Sequence, residues 1–157
     1  MFNVGDYTFA PWKVVWREQS AWFTAAVVGS QDGKCIVPDH KLMLVDCQSE
    51  EEAYYLAGVL NSSPVTLAVW AYAISIQQTA HITENINVPS FDAKKQLHLE
   101  TVNLSKQAHA LAAAGDKAAR AALKQVESEI DRAAAQLWGL TDEELRDIQA
   151  SLKELKG

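Results

Sequence analysis

The period of apolar and polar positions changes at one stretch, Ile86-Asn87-Val88-Pro89-Ser90-Phe91-Asp92. Before it lie short β-branched and aromatic runs broken by turn residues. After it come long Ala, Leu, Glu and Lys segments at helical spacing. Pro89 lacks an amide N–H and holds Val88 extended, so the pattern predicts a strand ending here and a helix starting just beyond.

From the N-terminus, Tyr7 to Arg17 places Trp12, Val14 and Trp16 on one parity and Lys13, Val15 and Arg17 on the other. This is the period-two pattern of a half-buried strand, and it puts both basic side chains on one face. Trp22–Val28 and Lys34–Val37 flank the turn cluster Gly29-Ser30-Gln31-Asp32-Gly33 and predict a hairpin. Leu42–Val45 predicts another strand. Ser49 then offers an N-cap oxygen to a helix near 50–61, with Ala53, Leu56, Ala57 and Leu60 on its apolar face. Ser63-Pro64 is read as a cap followed by proline at the first helical position. The helix it opens, near 64–76, is apolar almost all round and is expected in the core, Trp70 included. Gln77–Asn85 is the most polar segment of this half and is expected to be an exposed loop.

Beyond Asp92, Leu97, Leu104 and Leu111 repeat every seven residues with Thr101 and Ala108 between them, predicting a helix near 93–114. Gly115-Asp116 then pairs a C-terminal glycine with a new N-cap. Leu123, Val126, Ile130, Ala133 and Leu137 stripe a second helix near 116–138, which suits an antiparallel hairpin with the first. Thr141-x-x-Glu144 is a capping box opening a short last helix near 142–155. The fold class expected is α+β: a mixed strand and helix domain over 1–91, then a helical arm over 92–157.

Length and charge narrow the possibilities. A chain of 157 residues can bury a real core. Its net charge of -6 lacks the basic excess usual for a general nucleic-acid binder. Residues 1–90 hold four bases, Lys13, Arg17, Lys34 and Lys41, against nine acids. Three of those acids, Glu50 to Glu52, stand where a helix begins and favour its dipole. Cys35 and Cys47 lack CxxC spacing, and no signal sequence precedes them, so reduced intracellular thiols are expected. The longest apolar run, 65–76, is about half the roughly 20 residues of a membrane span.

Motifs for chemistry are sparse. The sequence has no glycine-rich phosphate loop, no G-x-S-x-G elbow and no His-Glu-x-x-His zinc helix. His98 and His109 stand roughly 16 Å apart along one helix at 1.5 Å per residue, too far to share a metal; solvated or capping roles are expected. Pro38-Asp39 with Glu154-Leu155-Lys156 imitates a nuclease metal pattern, but its second half falls on a terminal helix instead of a rigid strand. No catalytic residue and no metal ligand is assigned.

Four motifs occur in order: Lys13-Val14-Val15-Trp16, Ile36-Val37-Pro38-Asp39, Tyr55-Leu56-x-x-Val59-Leu60-Asn61-Ser62 and Ile86-Asn87-Val88-Pro89. Together they resemble the C-terminal target-recognition region of adenine-specific DNA methyltransferases, the modification subunits or fused restriction-modification enzymes with a TaqI-like specificity domain. The tail is similar as well, through Leu97-His98, Leu104-Ser105, Ala108-His109, Glu129-Ile130-Asp131 and Leu137-Trp138-Gly139-Leu140-Thr141-Asp142-Glu143-Glu144. The likeness runs over nearly the whole chain, and it is the order and spacing of short motifs that carry it.

That family transfers methyl groups with an Asn/Asp-Pro-Pro-Tyr/Phe motif beside an S-adenosylmethionine pocket, and this sequence holds no Pro-Pro pair. The resemblance therefore implies a cytoplasmic recognition module, not an enzyme by itself, that positions double-stranded DNA for a catalytic domain supplied in cis or in trans. S-adenosylmethionine belongs to that domain, and no cofactor and no membrane contact are expected here. The start at Met1-Phe2-Asn3, almost directly before the first strand, suits a piece of a longer enzyme. We assign Lys13, Arg17, Lys34 and Lys41 to phosphate positioning. Gln77, Gln78, Thr79, His81 and Asn85 are assigned to base reading, because Gln and Asn can pair bidentately with an adenine edge. The alternative is a protein-interaction or dimerisation module working through the helical hairpin.

From the missing motif we expect the purified chain to transfer no labelled methyl group from S-adenosylmethionine to DNA. Filter binding of labelled DNA measures this, and incorporation above background contradicts it.

Overall fold

The computed structural model describes residues 5–72 and 86–156. The fold is α+β, a three-stranded antiparallel sheet with five helices among the described residues. Strands β1 (Trp12–Arg17), β2 (Ala25–Gly29) and β3 (Leu42–Cys47) are arranged in the order β2-β1-β3. A single turn of 3-10 helix, Asp6–Phe9, leads in. The helices are α1 (Glu50–Leu60), α2 (Ser63–Tyr72), α3 (Gln96–Ala114), α4 (Lys117–Leu137) and α5 (Asp142–Lys156).

Local signals set most of these boundaries. Ser49 Oγ accepts the Glu52 amide at 3.1 Å, and the Glu52 carboxylate accepts the Gln48 amide at 2.5 Å, so the start of α1 is capped from both directions. Asp116 caps α4 through the Ala119 amide at 2.8 Å, after Gly115 has ended α3 with φ +67°. The backbone amides of Thr141 and Glu144 each donate to the other's side chain, which opens α5. Hydrogen bonds from the Thr141 amide and hydroxyl also hold the Glu144 carboxyl below its usual range.

Trp12, Val14 and Trp16 of β1 share a face with Val27 and Ala25 of β2 and with Cys47, Val45 and Met43 of β3, and α1 packs on that face. The far side of α1 is covered by α3. Helix α1 therefore buries Tyr55, Gly58 and Val59 in addition to Ala53, Ala57 and Leu60, a wider face than the expected single stripe. The crossing is close: a Cβ on Gly58 would stand 3.1 Å from both Thr101 Cγ2 and Ser105 Cβ of α3. Leu104 of α3 buries against Val126, Ile130 and Ala133 of α4 with Leu97, Ala108 and Leu111 beside them, the seam expected from the heptad spacing. Helix α5 closes the assembly against α2 and α4.

Four expectations are corrected. The stretch Lys34–Val37 forms no strand. Asp32 and Gly33 take φ of +51° and +71° and close a tight turn between Gln31 and Lys34, but both edges of β1 are already occupied by β2 and β3. Ile86–Asp92 is also outside any ladder; Ile86, Val88 and Phe91 pack on the core as an irregular connector. Helix α2 is buried on one side only, at Val65 and Val69, and Trp70 is 48% exposed. Ser63 is not the cap that starts α2: its amide and hydroxyl donate to Asp131 of α4, at 2.6 and 2.7 Å. Val102, Leu137 and Trp138, from beyond residue 91, pack in one core with Val14, Trp16 and Leu60 from before it.

The narrow crossing makes Gly58 a size-sensitive helix position. We expect Gly58→Val to cost about 1–3 kcal/mol through overpacking, with a fall in Tm of about 2–4 °C per kcal/mol. Chemical and thermal denaturation measure it; a variant as stable as the parent would show that α3 yields freely.

Candidate nucleic-acid interface

Three of the four bases assigned to phosphate are exposed. Arg17 closes β1 opposite Leu42, and the Glu18 amide donates to the Lys41 carbonyl at 3.0 Å, so Arg17 and Lys41 stand together at one end of the sheet. Lys34 lies at the other end, where the turn after β2 returns beside the start of β1. Asp39, the acid closest in sequence to Lys41, is engaged by the amide and ring of His40 at 2.6 and 2.5 Å. The two ends are separated by the length of β1, about 17 Å at 3.4 Å per residue.

Lys13 is not available for this role. Its side chain is 1% exposed, and the ammonium donates to the carbonyls of Ala10 and, at 3.1 Å, Ile36, and to Cys35 Sγ at 3.2 Å. The solvated face implied by strand parity is overturned, because the 3-10 turn and the segment after Lys34 fold over that side of the sheet. Parity reports which residues share a face; it does not report what covers the face. The base-reading residues Gln77, Gln78, Thr79, His81 and Asn85 lie outside the described residues.

Several of the motif residues meet in space and hold backbone groups with their side chains. Asn61 accepts the Ala25 amide and donates to the Ala25 carbonyl, both at 2.8 Å, as a neighbouring strand would. His109 Nε2 accepts the Val27 amide at 3.2 Å, with Nδ1 2.7 Å from the Ser105 carbonyl; this fixes the tautomer with its proton on Nδ1. The outer edge of β2 is thus occupied by two side chains. Tyr55 Oη donates to the Pro89 carbonyl at 3.0 Å, and Trp138 Nε1 donates to the Asn87 carbonyl at 3.1 Å. His98 Nδ1 accepts the Asp92 amide at 3.0 Å while the ring stacks on Tyr55 at 4.6 Å. Both helix histidines therefore act as tertiary fasteners, and neither is freely solvated. A sequence signal existed: each sits on the α1-facing side of α3, three or four residues from Thr101, Val102 or Ser105.

A cleft of about 650 Å³ opens between the β2 edge and helices α3, α4 and α5. Asn61, His109 and Asp131 line it, but their polar atoms are already committed, Asp131 accepting Gln149 at 2.8 Å as well as Ser63. Lys156 sits 5.0 Å from the Trp22 ring at its mouth. Among the described residues, no group of three or more His, Cys, Asp or Glu is placed to hold a metal, and no helix is long and apolar enough to cross a membrane. No protein-family model, curated protein or solved structure matches this chain.

Burial lowers the His98 pKa, with Lys95 acting in the same direction and Asp92 opposing. Below about pH 6.5 the unfolded chain then binds more protons at this site than the folded one, so its contribution to stability is lost as pH falls from there through the folded value. Urea titrations across that range should show a steeper loss for the parent than for His98→Gln, which keeps an acceptor for the Asp92 amide. Parallel pH profiles would exclude His98 as the source.

Proposed function

We propose that this chain is a DNA-recognition module of a restriction-modification adenine methyltransferase, holding target DNA for a catalytic domain outside this sequence. What supports the reading is the run of motifs in family order, together with exposed cations at both ends of one short sheet. Arg17 with Lys41, and Lys34 about 17 Å away along β1, are spaced on the scale of a major groove about 12 Å wide with a phosphate at either rim. In this reading they position the duplex by charge and carry no sequence information. Base reading falls to Gln77, Gln78, Thr79, His81 and Asn85, whose amides and ring nitrogens match base edges. The acidic remainder of the surface limits nonspecific adhesion to other polyanions, and the catalytic domain, with S-adenosylmethionine, supplies the other half of the clamp.

Binding should therefore depend on salt. In gel shifts with genomic fragments, Arg17→Ala, Lys34→Ala and Lys41→Ala should weaken binding to all sequences alike, each reducing the salt slope by about one for the phosphate it no longer neutralises. Lys13→Ala should instead lower Tm, since it empties a buried site and leaves the Ile36 carbonyl without its donor. Salt-independent retention, or concentration-dependent dimerisation without DNA binding, would favour the interaction-module reading.

A further inference from the structure

The environment of Lys13 is unusual for a buried cation. Its ammonium has hydrogen-bond acceptors but no carboxylate: among the described residues its partners are two carbonyls and the thiol of Cys35. Removing a charge from water costs several kcal/mol unless an opposite charge or very good hydrogen bonding offsets it. Cys35 Sγ stands 3.2 Å from Nζ, with the Ala10, Ile36 and Thr8 carbonyls at 3.6, 3.7 and 3.8 Å, and the residue is half-buried where Cys47 is fully so.

We propose that Cys35 is a site of reversible oxidation by hydrogen peroxide, and that Lys13 holds the resulting sulfenate. The thiol sulfur attacks one peroxide oxygen. The S–O bond forms as the O–O bond breaks, and the departing hydroxide takes up a proton to leave as water. The sulfur is oxidised to a sulfenic acid and the peroxide is reduced. Loss of the sulfenic proton gives an S–O anion, and the ammonium that donated to sulfur then neutralises it across one added bond.

The fold keeps that product from being consumed as a disulfide. Cys47 lies on the α1 side of the sheet with Val14 and Val45, whereas Cys35 contacts Lys13 on the opposite side. Cys47 is also 3% exposed, and burial, with Glu52 and Asp46 adding to it, pushes its thiol up to about 12. It is the internal control. The site is independent of the DNA reading, because it needs only this pair.

The test treats the reduced 157-residue chain with hydrogen peroxide, traps sulfenic acid with a 1,3-diketone, and maps adducts by peptide mass spectrometry. Cys35 should label severalfold more than Cys47, and Lys13→Met should reduce the Cys35 adduct severalfold while Lys13→Arg retains it. Peroxide-treated parent protein should melt above the reduced form, and Cys35→Ser should show no such rise; these two measurements need no Lys13 variant to fold. Equal labelling of both cysteines would overturn the proposal. So would a fall in Tm on oxidation, or a Lys13–Cys35 cross-link in place of the adduct.

Discussion

The close approach of α1 and α3 at Gly58 is the constraint on which the other long-range connections depend. A helix brought this near presents successive turns to different targets. His98 reaches the connector at Asp92, Thr101 and Ser105 meet Gly58, and His109 reaches the edge of β2. Lys106 meets Glu50 at 2.6 Å across the same crossing, and that hydrogen bond raises the lysine pKa. Both partners of this pair are more than a third exposed, so it orients the helices more than it stabilises them. A larger residue at position 58 would push all four of these meetings outward together.

Where regular structure stops, backbone polar groups still have to be satisfied. An N–H or C=O removed from water without a partner costs about 1–3 kcal/mol. In this protein side chains from distant elements supply the partners. Asn61 imitates a strand beside Ala25, Asp131 takes over the start of α2, and Tyr55, His98 and Trp138 each hold one backbone group of the connector. Several residues that look like a functional signature in a linear sequence are thus engaged in satisfying the backbone of the fold.

For function, an overall negative charge matters less than where the charges stand. Screening limits exposed charges to a range of about 10 Å, so the field at that end of the sheet is set mainly by Arg17 and Lys41 and by the acids beside them, Glu18 and Asp39. Nearby acids are partly occupied: Asp39 by His40, Glu50 by Lys106, Glu52 by the Gln48 amide.

Much of the architecture was legible in the sequence, because helix ends are local events. Ser49, Gly115-Asp116 and Thr141-x-x-Glu144 need only their neighbours to cap or stop a helix, and the seven-residue apolar spacing of α3 already named its seam with α4. What covers a face, and which edge a strand finds, are not local. Strand parity leaves Lys13 on the same face as Arg17; the lead-in turn and the returning Cys35–Ile36 segment together bury it. Lys34–Val37 carries a turn signal and strand residues, yet every edge it needed was filled, by strands on β1 and by Asn61 and His109 on β2. The sequence by itself determined the helices and most of their ends, through interactions within a few residues. Tertiary structure alone decided which polar side chains face water and which are used to satisfy the backbone, because that depends on partners as far apart as Val27 and His109.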